Sequence, residues 1–303
     1  MVHWKRMVAI LFLIFYESLA EGTLSAGFLT TEVSARAVGM GGAFAAAKND
    51  LALLYSNPAG IFTFDSTQVS FAHTSHFENT SYQWLAAGTP LSEDDAVGGS
   101  IVYQGDSNFV QNDEGNDIGT LDIYNVTVSA GYGRCIAKNV ALGALVKFFY
   151  SKLAEFHSQG AALDLGLQYK PPLKGLCIGL AVQNLGSQTA FISEVEPLPA
   201  LVRGAFLQNF YFKEQCLSVS MEYIYSLVPE EVYSLATGLE YAYKDMFFIR
   251  GGYLPEAEDG KLTMGLGVQL KNFLRIDYAY VPYSLLGDTH RLQLTTYFGL
   301  SAK

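Results

Sequence analysis

Charge is scarce in this chain. Asp, Glu, Lys and Arg make up 16 % of 303 residues, where a water-soluble domain carries about a quarter. The shortage is greater on the basic side, with 19 Lys and Arg against 29 Asp and Glu. That balance excludes nucleic acid as a partner, because phosphate contacts need clustered cations. Cysteine is nearly absent. Cys135, Cys177 and Cys216 are an odd, sparse set that makes no disulfide framework. Long apolar runs are missing too. No window approaches the 18 or so apolar residues of a transmembrane helix.

What is abundant is apolar, aromatic and small. Half of the residues are hydrophobic, with 19 Tyr, 20 Phe and 29 Gly. The first twenty residues stand apart. Lys5 and Arg6 precede the nine-residue apolar core "VAILFLIFY", and Ser18 and Ala20 are small residues at a cleavage position. This pattern predicts a secretory signal peptide over residues 1–20, cut after Ala20. The core is too short to span about 30 Å of hydrocarbon.

From Thr67 onward the hydrophobic period is two. In "AALDLGLQYK", Ala161, Leu163, Leu165, Leu167 and Tyr169 alternate with Ala162, Asp164, Gly166, Gln168 and Lys170. "LTMGLGVQLK" from Leu262 and "VYSLATGLEYAYK" from Val232 repeat the pattern. Strict alternation predicts strands with one apolar face. The opposite face is unlike a water-facing surface. It is rich in Gly, Ala, Ser and Thr, with Lys147, Asp164, Glu222, Glu240, Arg250, Arg275 and Asp277 set mid-strand. Small residues mixed with opposed charges suit a crowded polar interior. The apolar face ends in aromatics such as Phe148, Tyr150, Tyr223, Tyr225, Tyr278 and Tyr280, as a membrane girdle does.

Fourteen such strands are counted between residues 67 and 300. The expected fold is therefore all-β: a 14-stranded antiparallel transmembrane β-barrel, closed so that every backbone group is satisfied in lipid. Connections alternate in length. "GRCIAK", "PPLK", "FKE", "YKD" and "KN" are short, whereas residues 106–119 and 187–199 form long loops. The short turns are assigned to the periplasm and the long acidic loops to the exterior, with both mature termini periplasmic.

Residues 21–66 do not read as strands, because "GMGG" and "NPAG" break them. Asp50 sits near the start of a short helix, "DLALLYSNP", that stops before Pro58. The small apolar residues predict a hatch packed inside the barrel lumen, ahead of the barrel itself at 67–303. Within that hatch "ARAVGMGGAF", "ND" and "YSNPAG", together with "GLAVQNLG" and "LGDTHRLQLTTYF" further on, resemble the FadL superfamily of outer-membrane transport proteins. The resemblance is to its short PorV/PorQ-type branch and spans nearly the whole mature chain. It marks Gly39, Gly41, Gly42, Asn57, Pro58, Ala59 and Gly60 as the hatch motif. It implies an integral protein of the bacterial outer membrane, embedded in its lipid, with one of two jobs. FadL-type members pass fatty-acid-like or other hydrophobic molecules. PorV-type members serve type IX secretion and hold secretion-system proteins or exported cargo.

The residues themselves suggest where each job would sit. Phe44, Leu53, Leu54, Phe62 and Phe64 are candidates to line a hydrophobic-ligand pocket. Gly98 and Gly99 are candidates for a wall kink that opens sideways. Phe109, Val110, Phe191 and Ile192 would meet protein cargo. Of the lumen charges, Glu222, Glu240, Arg250, Arg275 and Asp277 are read as cross-lumen pairs that hold the hatch, with setting solute selectivity as their alternative role. No catalytic constellation, cofactor motif or metal site is expected. His73, His76 and His157 are scattered, and Asp288 and His290 have no serine motif beside them.

Overall fold

The computed structural model describes residues 26–76, 80–111, 117–190, 196–228, 233–255, 260–271, 273–283 and 287–299. Fourteen strands form one closed antiparallel barrel. They are β1 (Thr67–Ser75), β2 (Ser81–Pro90), β3 (Asp95–Gln111), β4 (Asp117–Ala137), β5 (Val140–Leu153), β6 (Phe156–Tyr169) and β7 (Leu176–Gln188), followed by β8 (Leu201–Phe212), β9 (Gln215–Ser226), β10 (Ser234–Tyr243), β11 (Phe247–Tyr253), β12 (Leu262–Leu270), β13 (Leu274–Val281) and β14 (Thr289–Phe298). Each strand pairs with its sequence neighbours, and β1 closes on β14 from Thr67–Phe298 to Ser75–His290. Closure leaves no sheet edge around the ring.

Burial follows the period of two. On β5, Leu142, Val146 and Phe148 are exposed, whereas Ala141, Leu145, Lys147 and Phe149 are buried. The outer surface is a belt of exposed Leu, Ile, Phe and Tyr, including Phe148, Tyr223, Tyr225, Leu266 and Tyr278. The inner face carries buried polar and charged residues such as Ser70, Lys147, Asp164, Glu222, Glu240 and Gln293. This inverts a water-soluble barrel and matches a surface solvated by hydrocarbon. Among the described residues no helix is long and apolar enough to cross a membrane.

Two loop assignments change. Residues 106–119 are largely not a loop, because β3 and β4 continue their ladder to Val110–Gly119 and Gln111–Asp117. Backbone pairing carries the hairpin on past the apolar belt, with a register shift at Val110/Gln111. "GRCIAK" is likewise mostly strand. β4 runs to Ala137 through a bulge at Cys135/Ala137, which leaves a two-residue turn before Val140.

Residues 26–66 precede the strands and pack against inward-facing side chains. Their elements are short: a 3-10 turn at Gly27–Thr30, helix α1 (Ala35–Gly39), helix α2 (Leu53–Ser56) and a 3-10 segment at Pro58–Thr63. α1 lies against β12 and β13, and Pro58–Thr63 lies across β3 to β6. Leu51, Leu54, Ile61 and Phe64 join Trp84, Ala86, Ala96 and Leu145 from the wall in one apolar cluster. Burying a side chain of this size contributes about 1.5–3 kcal/mol.

Candidate functional site

The contact between residues 26–66 and the wall is built from backbone outward. α1 starts at Ser34, whose Oγ accepts from Ala37 N and donates to Gln293 Oε1 at 3.0 Å. Gln293 Oε1 also accepts from Ala35 N at 2.9 Å, which ties the helix start to β14. The helix ends on Gly41 and Gly42 at φ +65° and +79°, the left-handed region that favours glycine. Gly41 is needed for space as well, because a Cβ there would lie 2.9 Å from Thr237 O. Gly39 approaches Gly265 just as closely.

Inward-facing glycines of the wall receive this backbone. A Cβ on Gly143 would lie 2.3 Å from the Pro58 carbonyl, on Gly166 2.1 Å from Asn57 Oδ1, and on Gly252 2.0 Å from Gly41 N. These distances are below any real contact, so only glycine fits. Asn57 is the hub of the second half. Its Oδ1 accepts from Ala59 N, capping the 3-10 segment that Pro58 begins. Its Nδ2 donates to Ala45 O at 2.8 Å and to Leu167 O on β6 at 3.2 Å. Gly60 sits under Leu53, with no room for a side chain.

The interior charges fall into three groups. In the largest, Arg36 of α1 forks onto Glu240, Nη2 at 2.8 Å and Nε at 3.0 Å, and its Nη1 meets Asp50 at 3.0 Å. Arg250 bridges Glu240 at 2.6 Å and Asp277 at 2.8 Å, and Arg275 meets Asp277 at 2.9 Å. Three cations face three carboxylates. Burial opposes the Arg36 charge, but Glu240 and Asp50 outweigh it and hold the guanidinium protonated. In the second group Arg203 meets Glu222 Oε1 at 2.7 Å, while Glu222 Oε2 accepts from Phe44 N and Ala45 N at 2.8 Å each. In the third, Lys147 meets Asp164 at 2.7 Å and Asn184 Oδ1 at 2.8 Å. The bonds of this last group stay within the wall, and Lys147 Nζ also lies 5.8 Å from the Tyr55 ring of the amino-terminal segment.

All seven lumen charges named from the sequence are thus buried inside. Arg36, Arg203 and Gln293 were not named, and Asp50 and Gln168 were named only as a helix start and an alternating strand position, although all five complete the site. Period-two alternation puts the three strand residues Arg203, Gln168 and Gln293 on the inward face; Gln168 and Gln293 meet the distant amino-terminal segment, whereas Arg203 meets Gln183 and Glu222 on the adjacent strands.

Of the five apolar lining candidates Leu54 reaches a cavity. That cavity lies between residues 26–66 and β2 to β5, lined by Phe28, Leu29, Leu54, Trp84 and Val102, with Ser129 and Lys147 at a polar end. Its volume is about 30 Å³, about the share of one water molecule. Phe44 and Leu53 pack against Ala205, Leu207 and Cys177, Phe64 packs in the Trp84 cluster, and Phe62 sits under Lys170 at 4.7 Å. Phe44, Leu53 and Phe64 fill space against other apolar side chains, whereas Phe62 packs under a cation.

No register shift falls at Gly98 and Gly99 of β3. Both pair in register with β2 and β4, and Gly98 leaves room for Leu54 instead. The wall departs from regular pairing elsewhere. A bulge at Asp164 and Asn184, with Asn184 at φ +59°, shifts β6 against β7. Beyond Gln183–Leu201 the ladder between β7 and β8 stops, while β7 stays paired to β6 as far as Gln188. Side chains join the wall there: Asn184 Nδ2 donates to Pro199 O, and Gln188 Nε2 to Glu196 O.

The histidines are not gathered. His73 and His157 are exposed on the outer face, and His76 is half-buried. Tyr278 Oη lies 2.7 Å from His290 Nδ1, and Tyr280 donates to Asp288, all on the outer face. Among the described residues no group of three or more His, Cys, Asp or Glu is placed to hold a metal. Cys135, Cys177 and Cys216 are free thiols. The side chains of Phe109, Val110, Phe191 and Ile192 lie outside the described residues, as do residues 1–25 with the expected signal peptide.

No protein-family model and no curated protein matches the sequence. Solved structures do match the fold. The toluene transporter TbuX of Ralstonia pickettii aligns at a TM-score of 0.61 and 15 % identity, over 87 % of this chain and 97 % of that one. The monoaromatic hydrocarbon channel CymD aligns at 0.64 and 12 %, over 88 % and 97 %. A FadL homologue from Pseudomonas aeruginosa aligns at 0.56 and 11 %, over 86 % and 96 %.

Proposed function

We propose that this chain is a non-enzymatic outer-membrane channel for hydrophobic small molecules, with residues 21–66 as a hatch that closes the lumen. The observation that carries this reading is the apolar cavity at Trp84, squeezed between the amino-terminal segment and the wall. An ion or sugar pore needs an open polar lumen; here the interior is filled and its free surface is largely apolar. The similar folds of proteins described as toluene and monoaromatic hydrocarbon channels support the same direction. At about 30 Å³ the cavity at Trp84 is too small for an organic solute in the described state. Passage therefore requires the hatch or the outer connections to shift. The ladder between β7 and β8 stops at Gln183–Leu201 although β7 runs on to Gln188, and this interruption is where the wall would part.

In this reading the short turns and both mature termini face the periplasm, and the apolar belt sits in outer-membrane lipid. The test is uptake by cells whose own hydrophobic channels are deleted. Radiolabelled decanol should enter at least tenfold faster when the protein is made. Unchanged uptake, with the barrel correctly inserted, contradicts the proposal.

A further inference from the structure

The outer face of the barrel is not alike all round. Outward along β7 to β12 the described residues include no Lys, Arg or His. From β14 through β1 to β6 the strand ends away from the short turns are different. One register row there pairs His290 with Ser75, Ser75 with Ser81, Ser81 with Gly105, Gly105 with Tyr124, Tyr124 with Lys152 and Lys152 with His157. These are direct cross-strand neighbours that share the outward face. His73 follows one outward position lower on β1. Three imidazoles and one ammonium thus gather on half of the wall, and no position of the row is a carboxylate.

The rings are held with groups left over. Gln83 Nε2 lies 3.4 Å from His73 Nδ1, and Tyr278 Oη lies 2.7 Å from His290 Nδ1. Among the described residues the Nε2 atoms of both rings have no hydrogen-bond partner, and neither nitrogen of His157 has one. His157 stacks on Tyr150 at 5.9 Å, and Tyr124 and Tyr103 continue the stack at 6.1 Å steps. Lys152 Nζ stands 5.8 Å over the Tyr124 ring. Gly105 makes room for this, since a Cβ there would lie 2.8 Å from the Tyr103 ring. Two outward positions below the row the wall is wholly apolar, with Phe71, Leu85, Ile101, Val128 and Phe148 side by side.

An aromatic girdle seats a barrel at the interface all round and needs no cations on one half. Basic side chains directly above a surface for acyl chains fit an anionic lipid headgroup. Flat rings beside those cations fit the C–H face of a sugar. We propose that the outer wall from β14 to β6 binds the phosphorylated sugar headgroup of an outer-leaflet glycolipid, its acyl chains lying on the Phe71–Phe148 row. Lys152 and the imidazole N–H groups donate to phosphate oxygens, and the tyrosine rings cover the sugar. The row crosses six strand-to-strand steps of about 4.8 Å each. That is room for two headgroups, one at His73 and His290, the other at Lys152 and His157. The inference rests on the reading of the chain as an outer-membrane barrel with its short turns periplasmic, which puts the row in the outer leaflet. It does not depend on what passes through the lumen.

Native mass spectrometry of the full-length processed chain in detergent tests it, by titration with bis-phosphorylated lipid A, dephosphorylated lipid A and phosphatidylglycerol. The wild type should bind two molecules of lipid A, at least tenfold more tightly than either control lipid. Lys152→Gln with His157→Gln should weaken one site at least tenfold, and His73→Gln with His290→Gln the other. Lys261→Gln, exposed between β11 and β12, should change nothing. Equal affinity for lipid A and either control overturns the site, as does unaltered lipid A binding in both double variants. Full displacement by millimolar inorganic phosphate shows a simple ion site and also overturns it. Whole-cell labelling of Glu155→Cys, at the β5–β6 turn, with a membrane-impermeant maleimide checks the premise. Labelling above the wild type puts the row outside, and labelling only after lysis overturns orientation and inference together. Absent lipid A preference with labelling intact overturns the inference alone.

Discussion

Arg36 and Glu240 are 204 residues apart in sequence, yet two guanidinium nitrogens of one meet both carboxylate oxygens of the other, at 2.8 and 3.0 Å. The fork joins the first helix of the amino-terminal segment to β10. Because Arg250 shares Glu240 and also reaches Asp277, the segment is tied to three strands through one charge-balanced cluster. In the proposed function this is the latch of the hatch.

Removing Arg36 leaves three carboxylates with two arginines inside the lumen. Arg36→Ala is predicted to destabilise the closed state by about 3 kcal/mol, the low end for breaking a partly solvated buried pair. Urea unfolding in detergent measures the loss, and limited proteolysis locates it. Cleavage within residues 26–66 should appear before any cleavage of the strands. Arg36→Ala with the same protease pattern as wild type contradicts the latch.

Gly251 and Gly252 are neighbours on β11 that face opposite ways. A Cβ on Gly251 meets nothing within 4 Å, whereas on Gly252 it would lie 2.0 Å from Gly41 N. Gly252→Ala should cost about 1–3 kcal/mol through forced backbone displacement. Gly251→Ala should be neutral or slightly stabilising, since it restricts the unfolded chain. Equal effects in thermal unfolding show that the segment does not press on the wall there.

Asn57 satisfies three groups at once: Ala59 N, Ala45 O and Leu167 O. Asn57→Ala removes a cap and two bonds to carbonyls, of which Ala45 O keeps Gln168 Nε2 at 3.3 Å, with a predicted cost of about 2 kcal/mol. Asn57→Asp keeps the acceptor and loses the two donated bonds, so it should fall between. A stability for Asn57→Asp equal to wild type in the same urea titration would show that those donated bonds contribute nothing.

Glu32 makes stability depend on pH. Its folded value of about 7 is above the ordinary carboxyl value of 4.5, chiefly because of burial. The folded state therefore holds a proton that the unfolded state releases between those values. Stability should fall as pH rises from 4.5 through about 7, by about 3 kcal/mol in total. Glu32→Gln should match wild type near pH 4 and exceed it at pH 8. Parallel pH profiles for the two proteins, followed by thermal unfolding, contradict the assignment.

Much of the barrel was legible because a strand writes its two faces in alternate residues. Asp164, Glu222 and Glu240 stand out among Leu and Tyr, and their burial follows directly. The latch was not legible, because no local pattern links Arg36 to β10; "ARAVG" reads only as small and helical. Gly98 and Gly99 illustrate a different limit. Adjacent glycines mark either a kink or a close approach, and here Leu54 from another element decided which. The bulge at Asn184 was hidden similarly, since its left-handed backbone is fixed by Asp164 and Lys147 on neighbouring strands. The extended β3–β4 hairpin was missed because Gly and Asp near residues 113–119 signal loops, whereas backbone pairing carried the strands on.

The account turns on the amino-terminal segment closing the lumen through its charged latch, and planar-bilayer conductance tests that most directly. The wild-type protein should insert and remain ion-tight, and Arg36→Ala should open steps of channel conductance. Steady wild-type conductance of porin size, or an Arg36→Ala protein as tight as wild type, would contradict it.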